Sequence, residues 1–379
     1  MKIHDIEVAS HEGINELSGY IGDIKIWYRF PEHIVPPKSA DPFVAAALIP
    51  SMFVGENLQL PSDLTVSPML IRNAEIIQDV FLMWGPYFDK PFKRISIEGG
   101  RREPAKEGNS SVVSYFSGGV DGTHTFLKNQ NEIDYLLFAK GIDMQLSNTD
   151  NYNFALSKNT EYLKQRGKPI YPIETNVRYY GHEFGLSWNI CFGGGLSSIA
   201  LAGGFKKCFI ASGISYADLY PHGSSFMTDH LWSNEHTTIA HDGAECSRID
   251  KIRYIGQDEE ALKILRVCWH DKGYNCGVCE KCLRTMASLR ALGLHTDTFP
   301  EVTDEVVRNR IGKIRIYDEY VNAYLYENIA EAEKRGDQVL ATALKKIKRR
   351  GDRSSLLHMV DDYLLSGGIS RLKRRLRKS

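Results

Sequence analysis

The rhythm of apolar and polar positions divides the chain into two regimes. In the first, Ile24-Lys25-Ile26-Trp27-Tyr28-Arg29-Phe30 alternates at a period near two and predicts a strand, and the apolar run 44–48 predicts another. Ser67-Pro68 then offers a cap with proline in the first turn. Leu70, Ala74, Ile77, Phe81 and Trp84 follow at three- and four-residue spacing, which predicts an amphipathic helix. Residues 93–97 are a further strand candidate, and the polar run 99–110 reads as a linker. Residues 1–106 are therefore expected to form an α+β accessory unit. It holds no catalytic constellation and is expected to shape a substrate pocket or an oligomer contact.

From residue 111 the pattern becomes strand, helix, strand, helix. Strand-like runs at 112–116, 135–143, 169–176 and 208–213 alternate with helical stretches around 125–128, 151–166 and 188–202. Such alternation predicts a parallel sheet covered on both faces, with ligands beyond the carboxyl ends of its strands. The polar strand exits gather there: the Ser117 loop, Lys140 to Asp143, Glu174 to Arg178, and Ser212-Gly213. Gly193-Gly194-Gly195 sits inside a helical stretch and predicts close packing of that helix on the sheet, not a second phosphate loop. The stretch 216–248 reads as a long polar loop forming an acceptor pocket and lid. His222, Asp229, His241, Asp242 and Arg248 are its candidates for binding or proton transfer.

The sharpest local chemistry is Ser117-Gly118-Gly119-Val120-Asp121-Gly122-Thr123, between a strand and a helix start. Such a turn aims backbone N–H groups and the positive end of a helix dipole outward, which suits phosphate. Ser117 and Thr123 add hydroxyls, and Asp121 can orient the loop or help hold a metal that accompanies phosphates. A second signal is Cys268, Cys276, Cys279 and Cys282, with the spacing C-x7-C-x2-C-x2-C. Four thiolates on one short loop and a helix start suit a closed, structural zinc, with His270 as a substitute ligand and an iron–sulfur site or free thiols as alternatives.

Composition alters this picture little. The 379 residues are 42% hydrophobic, enough for one substantial core and an accessory domain. Net charge is zero, but residues 345–379 carry 12 Lys/Arg against 3 Asp/Glu. That tail suits RNA, anionic lipid or an acidic partner, although a solvated helix or disordered tail is the commoner use of such a run. Seven cysteines, four of them crowded, point to metal rather than a disulfide framework. There is neither a long uncharged apolar run nor a signal-peptide core, so a cytoplasmic protein is expected.

The glycine loop resembles the S-G-G-x-D-S signature of the PP-loop ATP pyrophosphatases. Together with the run Cys276 to Arg284, it resembles the 7-cyano-7-deazaguanine synthases of that superfamily. The resemblance covers about residues 111–293 and departs at Gly122, where the family has serine, at 1–106, and at 216–248. It implies a divergent branch with another substrate: 1–106 accessory, 107–293 an α/β parallel-sheet PP-loop domain ending in the zinc knuckle, 294–379 helical with a basic tail. By resemblance, Ser117 to Thr123 hold pyrophosphate, with Lys140 and Ser212-Gly213 on the nucleotide side. Ser117, Asp121, Arg178 and Asp242 are the catalytic candidates, and His222, Asp229, His241 and Arg248 face the substrate. The implied activity is ATP- and Mg²⁺-dependent adenylation of a small-molecule carboxylate or amide, releasing pyrophosphate for ligation or amidation. A homodimer is one arrangement open to such a chain. The alternatives are a tRNA-thiolating enzyme that grips RNA through the tail, and a non-catalytic nucleotide-binding scaffold.

Overall fold

The computed structural model describes the chain except residues 269, 271–272, 315–319 and 366–379, and gives the backbone alone for 320–323 and 352–365. Strands β1 (Ile3–His11), β2 (Ile14–Ile21) and β3 (Ile24–Pro31) form an antiparallel meander. The alternation in β3 buries Ile26, Tyr28 and Phe30 on one face. Where the run 44–48 predicts a strand, the chain instead forms helix α1 (Asp41–Val54). Twelve of its fourteen residues are buried. A helix that is apolar all round has no periodicity to separate it from a buried strand.

Strand β4 (Leu58–Val66) follows, and helix α2 (Pro68–Phe88) starts as its sequence predicts: Ser67 Oγ accepts from Leu70 N at 2.9 Å. It buries Leu70, Ala74, Ile77 and Phe81. Strand β5 (Ile97–Arg102) pairs in parallel with β4, so the strand expected at 93–97 lies further along and takes up the start of the expected linker.

The second regime runs β6 (Asn109–Tyr115), α3 (Val120–Asn129), β7 (Tyr135–Lys140), α4 (Thr149–Lys164), β8 (Ile170–Thr175), α5 (Val177–Glu183), α6 (Trp188–Gly203), β9 (Phe205–Ala211) and β10 (Thr238–Asp242). The eight-stranded sheet has the order β1-β2-β3-β8-β7-β6-β9-β10. Its five strands from β8 to β10 are parallel. The fold is thus α/β with a mostly parallel central sheet.

Residues 1–106 do not stand apart as a separate unit. Tyr28 and Arg29 of β3 pair with Thr175 and Glu174 of β8, and Asn176 clasps the backbone of Lys25 and Trp27. Phe30 meets Phe205 of β9, and α1 packs on α6. The chain divides instead into compact units Met1–Tyr274 and Asn275–Ser379, because the meander extends the parallel sheet and shares its core.

The triple glycine lies within α6, as expected, but its close neighbours are a helix and a loop. A Cβ on Gly194 would stand 2.5 Å from Ala45 O of α1, and one on Gly193 2.3 Å from Gly223 O. Helices α7 (Arg248–Ile255) and α8 (Glu259–Leu262) complete the first unit.

The second unit comprises α9 (Glu280–Leu292), closed by Gly293 in the left-handed conformation, α10 (Asp304–Asn309), α11 (Tyr320–Lys334) and α12 (Gln338–Leu365). Arg290 joins these elements through ion pairs to Asp304 at 2.7 Å and Asp337 at 2.6 Å. In this unit Tyr324 and Leu325 are buried, whereas Tyr317 and the end of the basic tail lie outside the described residues. Among the described residues no helix is long and apolar enough to cross a membrane.

Candidate functional site

The chain builds its parallel sheet outward from β6, first through β7 to β8, then on the other side through β9 to β10. The reversal falls between β6 and β9, and open α/β sheets take ligands at the carboxyl end of that point. The glycine segment leaves β6 there. Gly118 has φ +77°, and a Cβ on it would lie 2.6 Å from Ile264 O and 3.0 Å from Asn159 Oδ1. Its own carbonyl accepts from Arg266 N at 2.8 Å. Only glycine fits that position without a shift. Gly119, which has no side chain to accept a bond, is the N-cap of α3. Beside it, Thr123 Oγ1 and both amide atoms of Asn159 are buried without a protein partner. An anion with several acceptor oxygens fits this donor-rich setting. At Gly122, a Cβ would come within 3.1 Å of Tyr115 O, which gives a steric reason for glycine where the resembled signature has serine.

Charge is concentrated on the α7 side of the loop. Asp121 of α3 pairs through one oxygen with Arg248 Nη1 at 2.9 Å and through the other with Lys251 Nζ at 3.3 Å. Lys251 is 2% exposed and also donates to Ser212 O at 2.5 Å, which ties it to the exit of β9. Sequence reading missed Lys251. The available signal was its spacing of three from Arg248, which puts both on one helix face. Asp242, at the end of β10, accepts from Thr125 Oγ1 and Lys128 Nζ, both at 2.9 Å. Burial alone would raise its carboxyl, but Lys128 and Thr125 outweigh it and hold the group below the usual carboxylate range. His124 is pushed down by burial and then by the charge of Lys251, so it stays neutral beside the loop.

Two other candidates are committed elsewhere. Lys140 reaches Glu174 at 3.4 Å and Thr149 at 3.1 Å, and Arg178 donates to Ile142 O and lies over the Trp188 ring. They brace the exits of β7 and β8 and share no contact with Asp121. Ser212 Oγ closes its own turn by donating to Ile214 O at 2.6 Å.

The stretch 216–248 is not all loop, since it contains β10, which pairs in parallel with β9. Its five residues carry polar His241 and Asp242, which hid the strand from a pattern search. Period two sends these two side chains to opposite faces. His241 Nδ1 meets Asp229 Oδ2 at 2.7 Å, and Ser224 Oγ donates to the same oxygen at 2.7 Å. Asp229 is fully buried, and Ser225 N donates to its other oxygen at 3.1 Å. His222 stands beside this group, its imidazole pushed down by burial. The four expected substrate residues therefore separate. His222, Asp229 and His241 form one network, while Arg248 belongs to the Asp121 group.

The thiols of Cys268, Cys276, Cys279 and Cys282 lie within 4.8 Å of one another, and none is in a disulfide. Tetrahedral zinc with Zn–S bonds near 2.3 Å sets its sulfurs about 3.8 Å apart. Cys276 and Cys282 stand 3.9 Å apart. Backbone N–H groups of His270 and Cys279 point at the sulfurs of Cys268 and Cys276, both at 3.3 Å, as thiolates favour. The cluster can hold a metal ion such as zinc. His270 serves through its backbone, and its ring is not part of the group. Elsewhere, burial pushes the thiols of Cys191 and Cys208 up to about 12, which makes them inert.

A separate cavity of about 520 Å³ lies at the opposite, amino end of the parallel strands, beside Gly108, Gly204 and Thr237. Comparison of the chain with protein-family models, with curated proteins and with solved structures gives no match.

Proposed function

We propose that this chain is an ATP-dependent adenylating enzyme of the PP-loop type. It activates a small-molecule carboxylate or amide with release of pyrophosphate, for ligation or amidation. The observation that carries this reading is the glycine segment at the reversal point of the sheet. Its side-chain-free cap and buried, unpartnered polar atoms are suited to a polyphosphate. The resemblance to S-G-G-x-D-S adds the reaction class.

In the proposed reaction a carboxylate oxygen bonds to the α-phosphorus of ATP while the bond to the β-phosphate oxygen breaks, and pyrophosphate leaves with the electron pair. An amine then displaces AMP from the mixed anhydride. The N–H groups at the start of α3 would bind the departing pyrophosphate, and Asp121 would be the carboxylate to hold Mg²⁺, which would supply charge neutralisation. On the opposite face of β10, Asp229 orients His241 through Nδ1, leaving Nε2 as the atom suited to accept a proton from the attacking amine. The cysteine cluster, as a four-thiolate zinc site, has no open position for substrate and serves folding.

The test is product analysis from Mg-ATP with a fractionated metabolite extract, comparing the parent with Asp121→Ala. The reading expects equal amounts of AMP and pyrophosphate that depend on the extract and vanish in the variant. ADP with phosphate as the products, or AMP formation that survives in Asp121→Ala, would count against it.

A further inference from the structure

The segment after α8 forms a second flank of the glycine loop, on the side of α4. Arg266 N donates to Gly118 O at 2.8 Å, and the Arg266 Cβ lies 3.7 Å from the point where a Cβ on Gly118 would stand. The arginine side chain therefore leaves its backbone directly beside the loop. Arg266 is 6% exposed, and its guanidinium makes no ion pair or hydrogen bond with any described residue. Burial pushes the Tyr274 hydroxyl up and the charge of Arg266 opposes this, so the two are near neighbours, but a neutral phenol that donates to Ile264 O at 2.6 Å offers Arg266 no compensating charge. A second cation, Lys158 of α4, lies over the Tyr274 ring at 5.4 Å and the Phe154 ring at 5.6 Å, and it too has no ion pair among the described residues. Asn159, the next residue of α4, is fully buried with both amide atoms unpartnered, and its Oδ1 stands 3.0 Å from the same point beside Gly118.

Arginine is almost never buried without a partner, because the lost hydration of the charge is then offset by nothing. Here the unpaired guanidinium stands beside a loop whose conformation suits an anion, and its planar fork matches two oxygens of one phosphate. Resting on the adenylation reading above, we propose that Arg266 is a phosphate-binding residue of the glycine loop, reaching it from the α4 side, and that the fold leaves its charge unpaired for a polyphosphate to neutralise. Stability and binding are then opposed at this position. The chain carries the cost of a desolvated cation until phosphate arrives, and binding removes that cost.

The probe is inorganic pyrophosphate with Mg²⁺, titrated calorimetrically into the zinc-loaded full chain, with urea unfolding of the same proteins before and after ligand. Arg266→Met keeps the unbranched stem and removes the charge. It is expected to bind pyrophosphate weaker than the parent by about tenfold or more. Without ligand, its urea midpoint is expected to equal or exceed that of the parent, and pyrophosphate should raise the midpoint of the parent more than that of the variant. If the parent binds pyrophosphate and Arg266→Met binds it equally well, the assignment of Arg266 is overturned and the adenylation reading stands. A ligand-free Arg266→Met that unfolds at clearly lower urea than the parent would also overturn the assignment, since the guanidinium would then serve the fold itself. If the parent binds no pyrophosphate, both the assignment and the reading fail.

Discussion

Gly118→Ala probes the geometry of the loop most sharply. The residue holds φ +77°, where a Cβ costs about 1–2 kcal/mol. The added methyl would also stand 2.6 Å from Ile264 O, a backbone atom that cannot swing aside as a side chain does. Relief requires the 264–266 segment to move, which stretches the 2.8 Å bond from Arg266 N to Gly118 O and forfeits about another 1 kcal/mol. The sum is a destabilisation of about 3 kcal/mol. Gly119→Ala is the control: its φ is −74° and its nearest contacts would be an ordinary 3.6 Å, so it should stay within about 1 kcal/mol of the parent. Urea unfolding followed by tryptophan fluorescence measures both. Equal stability of Gly118→Ala and the parent, or equal damage from the two variants, would refute the reasoning.

Other expectations follow from the same geometry. The cysteine cluster should carry one zinc per chain by native mass spectrometry, and Cys282→Ser should lose it together with several kcal/mol, roughly, of stability; a metal-free parent at full stability would oppose this. His124 and His222 are both held below their ordinary value of 6.5 by burial, so the fold favours their neutral forms. Their contribution is present above pH 6.5 and is lost as pH falls through the folded values, so the urea midpoint should decline below about pH 6.5. Replacing both with glutamine should flatten that decline, and an unchanged slope would contradict the assignment. Gly122→Ser should cost about 1 kcal/mol in the same unfolding assay, because its Cβ meets Tyr115 O at 3.1 Å; a gain in stability would count against that contact.

What the sequence made legible was what neighbours along the chain determine. Ser67-Pro68 and the spacing of Leu70, Ala74, Ile77 and Phe81 suffice for α2, and the apolar runs suffice for the parallel strands β6 to β9. The four cysteines crowd within fifteen residues, so their meeting needed no knowledge of the fold. The domain boundary near 106 was illegible because the pairing of β3 with β8 joins residues almost 150 positions apart. Helix α1 and strand β10 failed for opposite reasons, the one apolar all round and the other too short and polar. Lys251 reads as an ordinary helix lysine, and only tertiary packing buries it against Asp121.

The central claim concerns where a nucleotide sits, and a crystal structure with Mg²⁺ and α,β-methylene-ATP tests it most directly. The account predicts the phosphates over Gly118 to Thr123, at the start of α3. A nucleotide lodged in the cavity at the amino end of the strands would contradict it.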